Sequence, residues 1–137
     1  MRYLQGVVIV MVLFLSVSTV FADVIGNTDK EVQEIANPLL DNILVGLAED
    51  SYEKYSQNFD DTLKETISAA RFKEIDIQIQ EWVGNYLYRE YLGFLTKGQM
   101  TVIFWKGVFD KAKDDVLIKL VVSKRGDKYL ITGLWFQ

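Results

Sequence analysis

The chain has 137 residues but no cysteine, no histidine and only one proline. Without cysteine it can form no disulfide, which excludes a small disulfide-stapled extracellular scaffold. Without histidine it cannot build a Ser-His-Asp or Cys-His nucleophile system, nor a histidine-based zinc or iron site. Any catalysis would have to use carboxylates, lysine or tyrosine. We therefore expect no cofactor.

Clustered positive charge is also scarce. The formal net charge is −4, and the densest basic segment is the short group Lys124, Arg125 and Lys128. Proteins that bind nucleic acids need clustered cations, because their affinity comes largely from counterion release. We therefore expect no nucleic acid partner.

The first 22 residues have the pattern of a secretion signal. A positive charge at Arg2 precedes an apolar run over residues 6–15, and small or aliphatic residues lead to Ala22. This run is shorter than the about 20 residues of a membrane-spanning helix, which favours cleavage over a retained anchor. We expect residues 1–22 to be removed. Residues 23–137 then form one exported domain, periplasmic or secreted, with no stable membrane anchor.

The first half of this domain has helical periodicity. Thr28 and Glu31 have the spacing of a capping box, and apolar residues recur every three or four positions over residues 32–47. The apolar stripe keeps its phase across Pro38, which favours one kinked helix over two. Shorter helical segments follow, with capping residues predicted at Asp50, Asp60, Ser68 and Gly84.

The second half has the pattern of strands. Aromatic and β-branched residues fill four runs, at residues 86–95, 100–109, 116–123 and 129–136. Short polar turns join the runs, so they predict an antiparallel meander. Helices followed by strands are typical of an α+β fold, in which the helices pack on one face of the sheet.

Both faces of the first two strands are apolar. Strict alternation puts Tyr86 and Tyr88 on one side of the first strand and Leu87 and Tyr91 on the other. A sheet with one face in water should alternate more cleanly between apolar and polar residues. We therefore predict that the second face is covered, either by a second copy in a homodimer or by curling of the sheet.

Several segments together resemble a known superfamily. The resemblance is carried by residues 37–44, 46–47, 50–55, 84–86 and 132–136. The group that they resemble is an exported bacterial group of unknown function in the nuclear transport factor 2-like (cystatin-like) superfamily. The resemblance extends over essentially all of residues 23–137, and it rests on hydrophobic and turn positions. It implies a cone, in which a strongly curved four-stranded antiparallel sheet wraps over the N-terminal helices and encloses a pocket. It identifies no catalytic residue, and fold alone does not determine function.

An aromatic group is the candidate ligand site. If the sheet curls, some of these residues would line the cone and offer flat apolar walls with polar tips. The alternative is that they form the core and the dimer interface. The candidate pocket residues are Trp82, Tyr86, Tyr88, Glu90, Tyr91, Trp105 and Trp135.

Glu90 leaves a catalytic alternative open. A carboxylate inside the cone would have a raised pKa and could act with a tyrosine in a lyase or isomerase. The simpler interpretation is a cross-strand ion pair with Lys106 or Lys119. The sequence thus predicts a non-catalytic domain that binds a small apolar or aromatic ligand or acts as an envelope interaction module. An enzyme and a purely structural assembly subunit are the alternatives.

Overall fold

The computed structural model describes residues 22–137 as four helices followed by four long strands, with one short strand before them. The predicted signal lies outside the described residues except for Ala22, so its cleavage stays a prediction. The helices are α1 (Asp29–Ala48), α2 (Tyr52–Tyr55), α3 (Asp61–Thr66) and α4 (Ala69–Trp82). The strands are β1 (Ala22–Asp23), β2 (Tyr86–Lys97), β3 (Met100–Phe109), β4 (Val116–Arg125) and β5 (Lys128–Phe136). None of the helices described is long and apolar enough to cross a membrane.

Strands β2 to β5 form a meander in which each strand pairs antiparallel with the next. Lys124 of β4 pairs with β5 on one side and with Asp23 of β1 on the other. Strand β1 therefore lies beside the end of β4, on the same side as β3 and beyond the first residue of β3. The sheet curls strongly into a half-barrel around the helices. This arrangement confirms the predicted α+β class and the predicted curved four-stranded antiparallel sheet.

Helix α1 is one helix that runs through Pro38, as the apolar stripe predicts. Thr28 caps its start, and its Oγ1 accepts a hydrogen bond from the backbone N–H of Glu31 at 3.2 Å. The buried residues of α1 recur at helical spacing and form the face that meets the sheet. They are Val32, Ala36, Leu39, Leu40, Ile43, Leu44, Gly46 and Leu47.

Side chains also cap the shorter helices, with one difference from the sequence pattern. Asp60 caps α3 and Ser68 caps α4, as predicted. Helix α2, however, is capped by Ser51, whose Oγ accepts from the backbone N–H of Lys54 at 3.3 Å. The prediction of Asp50 as this cap was wrong. Its φ of 53° lies in the left-handed region, whereas an N-cap residue needs an extended backbone.

Two bulges in β2 change which residues share a face. The register against β3 shifts between Tyr86 and Tyr88 and again between Tyr91 and Gly93, which leaves one extra residue at each place. Each bulge bends the strand and increases its twist. Tyr86 and Tyr91 consequently both face the helices, and Tyr88 faces outward. The strict alternation predicted for β2 was therefore wrong, although it holds for β3.

The core fills the space between α1 and the concave face of the sheet. Ile103, Trp105, Ile118 and Leu120 point inward from the two central strands, and none is more than 1% exposed. Burial of large apolar side chains is the main favourable term in folding. Because this centre is filled, the openings that remain lie at the margins of the sheet.

Gly46 provides the first testable prediction. A Cβ built on Gly46 would lie 2.5 Å from the backbone N and 2.7 Å from the Cα of Tyr55. An alanine would therefore force α1 and α2 apart, although alanine is intrinsically the better helix former by about 1 kcal/mol. We expect Gly46→Ala to lower the free energy of unfolding in urea by about 1–3 kcal/mol. Val45→Ala, on the exposed side of the same turn, is the control and should cost less than about 0.5 kcal/mol.

Candidate functional site

An apolar cleft of about 270 Å³ opens at one end of the core, between α1, α4 and the β2–β3 pair. Its walls combine aliphatic side chains from the two helices with aromatic rings from the sheet, and a few polar groups stand at its rim. The wall residues are Leu44, Val45, Leu47, Ile79, Tyr86 and Phe109, and the polar rim residues are Asp41, Gln80 and Asn85. Small-molecule sites usually have this composition.

The turn from α4 into β2 forms one side of the cleft. The backbone N–H groups of Val83 and Gly84 both donate to the Ile79 carbonyl, at 2.8 and 3.2 Å. Gly84 has φ of 79°, so it ends α4 in the left-handed conformation that the sequence predicts. The turn thus sets the position at which β2 begins.

Asp110 holds this turn against the end of β3. Its two carboxylate oxygens accept hydrogen bonds from the backbone N and from Nδ2 of Asn85, at 2.8 and 3.0 Å. These bonds favour the charged carboxylate and lower the pKa of Asp110. The Asn85 side of the cleft is thereby anchored to the sheet by a carboxylate that stays ionised.

Arg89 organises the polar end of the cleft. Its side chain is 16% exposed, and its guanidinium lies 2.8 Å from Oδ1 of Asp41. It also donates to the hydroxyl of Tyr86 at 3.2 Å and, more weakly, to Asn37 at 3.5 Å. Because the Tyr86 hydroxyl accepts from Arg89 and no described residue accepts its proton, this hydroxyl can donate to a ligand.

Three of the seven predicted site residues face the helices. Tyr86 lines the cleft. Trp105 lies in the core, 1% exposed, where its Nε1 donates to Oδ1 of Asn37 at 3.3 Å. Tyr91 packs edge-on against Trp105, with ring centroids 6.4 Å apart. Of these three, Tyr86 alone is in a position to contact a molecule in the cleft.

The remaining predicted residues lie elsewhere. Tyr88 and Trp135 point outward from the sheet, and Trp82 is half-exposed at the end of α4, outside the cleft. Glu90 also faces outward and forms a cross-strand ion pair with Lys106 at 3.2 Å, the simpler of the two predicted roles. The structure therefore does not bring the seven residues together. Alternation along each strand and the bulges in β2 divide them between two faces.

A tyrosine–carboxylate pair does occur, but away from the cleft. The Tyr91 hydroxyl donates to Oδ1 of Asp29 at 2.7 Å, at the start of α1. Burial, followed by the hydrogen bond and the charge of Asp29, raises the pKa of Tyr91, so its hydroxyl stays protonated. The pair fastens β2 to α1. In the part of the chain that the structure describes, the cleft contains no hydrogen bond between a carboxylate and a tyrosine.

Sequence reasoning missed most of the cleft. Asp41, Gln80 and Asn85 look like ordinary solvated helix and turn residues, and no pattern marks them. Arg89 offered a signal, because a charged residue inside an aromatic strand needs a partner. Its partner Asp41 lies on α1, far away in sequence, so only the folded chain identifies it.

A larger groove of about 750 Å³ beside the β4–β5 hairpin is mostly polar. Asp60, which is buried there, accepts from the backbone N–H of Leu63 at 2.8 Å and from Arg125 at 3.2 Å. This carboxylate is thus fully used in capping α3 and holding the end of β4. The groove lacks the apolar walls of a small-molecule site, so we assign the candidate site to the smaller cleft.

Metal chemistry and comparison with known proteins add no further assignment. Residues 22–137 contain no group of three or more acidic side chains that could hold a metal ion. No family model, no curated protein and no solved structure matches the chain.

The hydrogen bonds of Asp110 provide the second testable prediction. Asn85→Ala removes one of its two donors, so the pKa of Asp110 should rise toward its ordinary value. An NMR titration of the Asp110 carboxyl carbon measures this shift, with Gln80→Ala as the control that leaves it unchanged. A carboxyl whose pKa is lower in the folded chain than in the unfolded chain stabilises the fold at pH values above the unfolded pKa. The difference in the free energy of unfolding between wild type and Asn85→Ala should therefore become smaller as the pH falls through the lowered pKa of Asp110. An unchanged pKa in Asn85→Ala would mean that the bond is absent.

Proposed function

We propose that the protein binds a small, uncharged and largely apolar or aromatic molecule in the cleft, without catalysis. The observation that carries this proposal is the combination of an apolar wall with a single donor hydroxyl at the polar end. Leu44, Ile79 and Phe109 supply the wall, and Tyr86 supplies the hydroxyl. Apolar contact provides the affinity in such sites, and the few polar groups fix the orientation of the ligand.

The charges at the rim favour an uncharged ligand. Arg89 and Asp41 neutralise each other at 2.8 Å, so neither leaves a strong unbalanced charge for an ion to pair with. A charged ligand would lose its hydration without gaining a counter-ion. A hydroxyl or carbonyl group, in contrast, can accept the proton of the Tyr86 hydroxyl.

The size of the cleft limits the ligand to one or two rings. Its volume of about 270 Å³ lies at the small end of ligand sites, which are commonly about 300–1,000 Å³. A ligand of about eleven non-hydrogen atoms that gains about 0.4–0.5 kcal/mol per atom would bind with a Kd of roughly 0.1–1 mM. A larger natural ligand would have to extend past the rim.

The third prediction tests the cleft with 2-naphthol as the probe. Val45 lines the cleft from an exposed position of α1, so Val45→Trp should cover the opening without disturbing the core. We expect calorimetry to show binding to the wild type and at least about tenfold weaker binding to Val45→Trp. Tyr86→Phe should lose about three- to tenfold, the value of one hydrogen bond.

The matched control is Ile77→Trp, which adds the same ring to an exposed position of α4 that does not line the cleft. It should bind 2-naphthol as the wild type does. Equal binding by Val45→Trp and Ile77→Trp, or NMR shift changes confined to other parts of the sheet, would contradict the proposal.

A second function, assembly with a second copy of the chain, is favoured by the outer face of the sheet. Here the outer face means the outward side chains of β2 to β5, which include Tyr88, Leu95, Met100 and Trp135. These four large residues are between 42% and 61% exposed. Half-buried Val102, Phe104, Val108 and Leu117 lie between them.

The exposed apolar area of this face suits a dimer. A large side chain has about 150–250 Å² of surface, and these four are about half exposed, so together they leave roughly 300–500 Å² of exposed apolar surface. That is within the range of the largest apolar patch of a typical monomer, and the half-buried residues between them extend it toward the about 800 Å² that each partner buries in a stable interface. Glu90 and Lys106 neutralise each other within the face. Two copies related by a two-fold axis need only this one patch.

The fourth prediction tests this assembly by sedimentation equilibrium. We expect the wild type to be a dimer and Leu95→Glu to dissociate at least about tenfold more readily, because the new carboxylate would be buried without a partner. Ile77→Glu places the same charge on an equally exposed isoleucine of α4 and should leave the dimer intact. A monomeric wild type would overturn the proposal.

A further inference from the structure

A second opening, of about 500 Å³, lies between α4 and the outer edge of β5. We call it the α4–β5 groove. One wall is a single face of α4, because its residues recur three or four positions apart, and the other wall is the last part of β5. The groove residues used below are Ile75, Gln78, Trp82, Leu134, Trp135 and Phe136. The groove and the apolar cleft share only Ile79 among their lining residues.

Strand β5 is an edge strand of the described sheet, with β4 on one side. On its other side the described residues pair with it at one place. The Ile131 N–H donates to the carbonyl of Asn58 at 2.7 Å, and the Ile131 carbonyl accepts from the N–H of Asp60 at 2.9 Å. The edge therefore already accepts a strand-like backbone at its start.

Beyond Ile131 this edge continues without a described partner. Gln137 exchanges both backbone hydrogen bonds with Leu117 of β4, at 3.0 and 2.7 Å. In an antiparallel pair the direction of these groups alternates from one residue to the next. The N–H and C=O groups of Leu134 and Phe136 therefore point away from β4 and toward the groove, as unpaired donors and acceptors.

The opposite edge of the sheet is less suited to an added strand. The two bulges in β2 interrupt its regular hydrogen-bonding pattern, as edge strands often do to prevent pairing. Arg89 and Tyr91 also tie that strand to α1. Strand β5 has one register shift too, which leaves Thr132 as an extra residue, but its pairing with β4 is regular from Gly133 to Phe136. Among the described strands, this stretch of β5 thus offers the regular, open edge.

We propose that the α4–β5 groove binds an extended peptide segment of a partner protein, which adds to the sheet as a strand beside β5. Backbone hydrogen bonds to Leu134 and Phe136 provide the pairing, and alternate apolar side chains of the peptide pack against Ile75 and Trp82. This is the recognition mode in which main-chain bonds give affinity and side-chain contacts give specificity.

The geometry of the groove favours a single segment over a second sheet. Helix α4 lines the other side of the groove, so a second copy that paired its own β5 there would also have to fit its remaining strands against this helix, whereas a peptide needs only the width of one strand. The stretch from Gly133 to Phe136 is about 13 Å long at about 3.3 Å per residue. It pairs with four or five residues of an extended chain.

The side chains around the edge define what the peptide carries. Leu134 and Phe136 face the core, so the peptide residues beside them point inward and are aliphatic. Trp135 faces outward and is 45% exposed, so the residues between them meet an indole ring. We therefore expect a segment of alternating apolar residues, with few charges and no proline.

The test uses a capped peptide, Lys-Val-Thr-Val-Thr-Val-Lys, and amide hydrogen exchange measured by NMR. In the free protein the amides of Leu134 and Phe136 should exchange fast, whereas those of Gly133 and Trp135, bonded to β4, should exchange slowly. At about 1 mM peptide, we expect the exchange of Leu134 and Phe136 to slow at least tenfold. The peptide N-methylated at the residues that face β5 should bind at least tenfold more weakly than the unmodified peptide.

Trp82→Ala removes one wall of the groove and should weaken binding at least fivefold. The matched control Ile77→Ala changes a residue of α4 that is more than half exposed and lies outside the groove, and it should bind the peptide as the wild type does. Val45→Trp should also leave peptide binding unchanged, because Val45 lines only the cleft. Peptide binding in the α4–β5 groove and ligand binding in the cleft can therefore be tested independently of each other.

Three results would overturn the proposal. The first is unchanged exchange of Leu134 and Phe136 at this peptide concentration. The second is protection that is insensitive to both N-methylation and Trp82→Ala. The third is protection that appears at the amides of β2 instead, which would move the added strand to the other edge of the sheet.

Discussion

The contact between Trp105 and α1 is the interaction on which the rest of the structure depends. Trp105 lies in the second strand of the meander, 1% exposed, and its indole N–H reaches Asn37 of α1 at 3.3 Å. The same asparagine accepts from Arg89, which in turn pairs with Asp41. One helix is thus fixed to two neighbouring strands by a buried ring and a polar network. The indole N–H of Trp105 and the guanidinium of Arg89 are largely buried and must be satisfied, so they specify one arrangement of helix and sheet.

The three surfaces with functional proposals follow from that arrangement. Because the sheet curls around α1, its concave face is filled at the centre, and the apolar cleft remains where α1 and α4 diverge above Tyr86 and Phe109. The outward side chains of the same strands are left uncovered within the described chain. The last strand keeps an open edge because α4 borders it as a wall and leaves its backbone unpaired. Ligand, second copy and peptide would therefore use different parts of one sheet, with Trp135 common to the outer face and the α4–β5 groove.

Much of the architecture could be predicted because local rules set it. Thr28, Asp60 and Ser68 cap the helices that the sequence pattern assigns to them, and Gly84 ends α4. Such capping bonds connect residues only a few positions apart. The candidate site could not be predicted as well, since the first bulge in β2 turns the side chains from Tyr88 to Tyr91 to the opposite face and the second, at Gly93, restores the original phase. A one-residue shift exchanges the two faces of a strand, and Gly93 is the one residue whose type is typical of a bulge.

The sequence by itself determined the order of helices and strands, the turns between them, and the absence of histidine and cysteine chemistry. These depend on composition and on short-range hydrogen bonds, which act within a few residues. Only the tertiary structure decided that Tyr86 lines the cleft, that Glu90 faces Lys106 on the outer face, and that Arg89 meets Asn37 across a sequence separation of 52 residues. Such contacts depend on how far the sheet curls and where its register shifts, because those two features decide which distant side chains come within bonding distance.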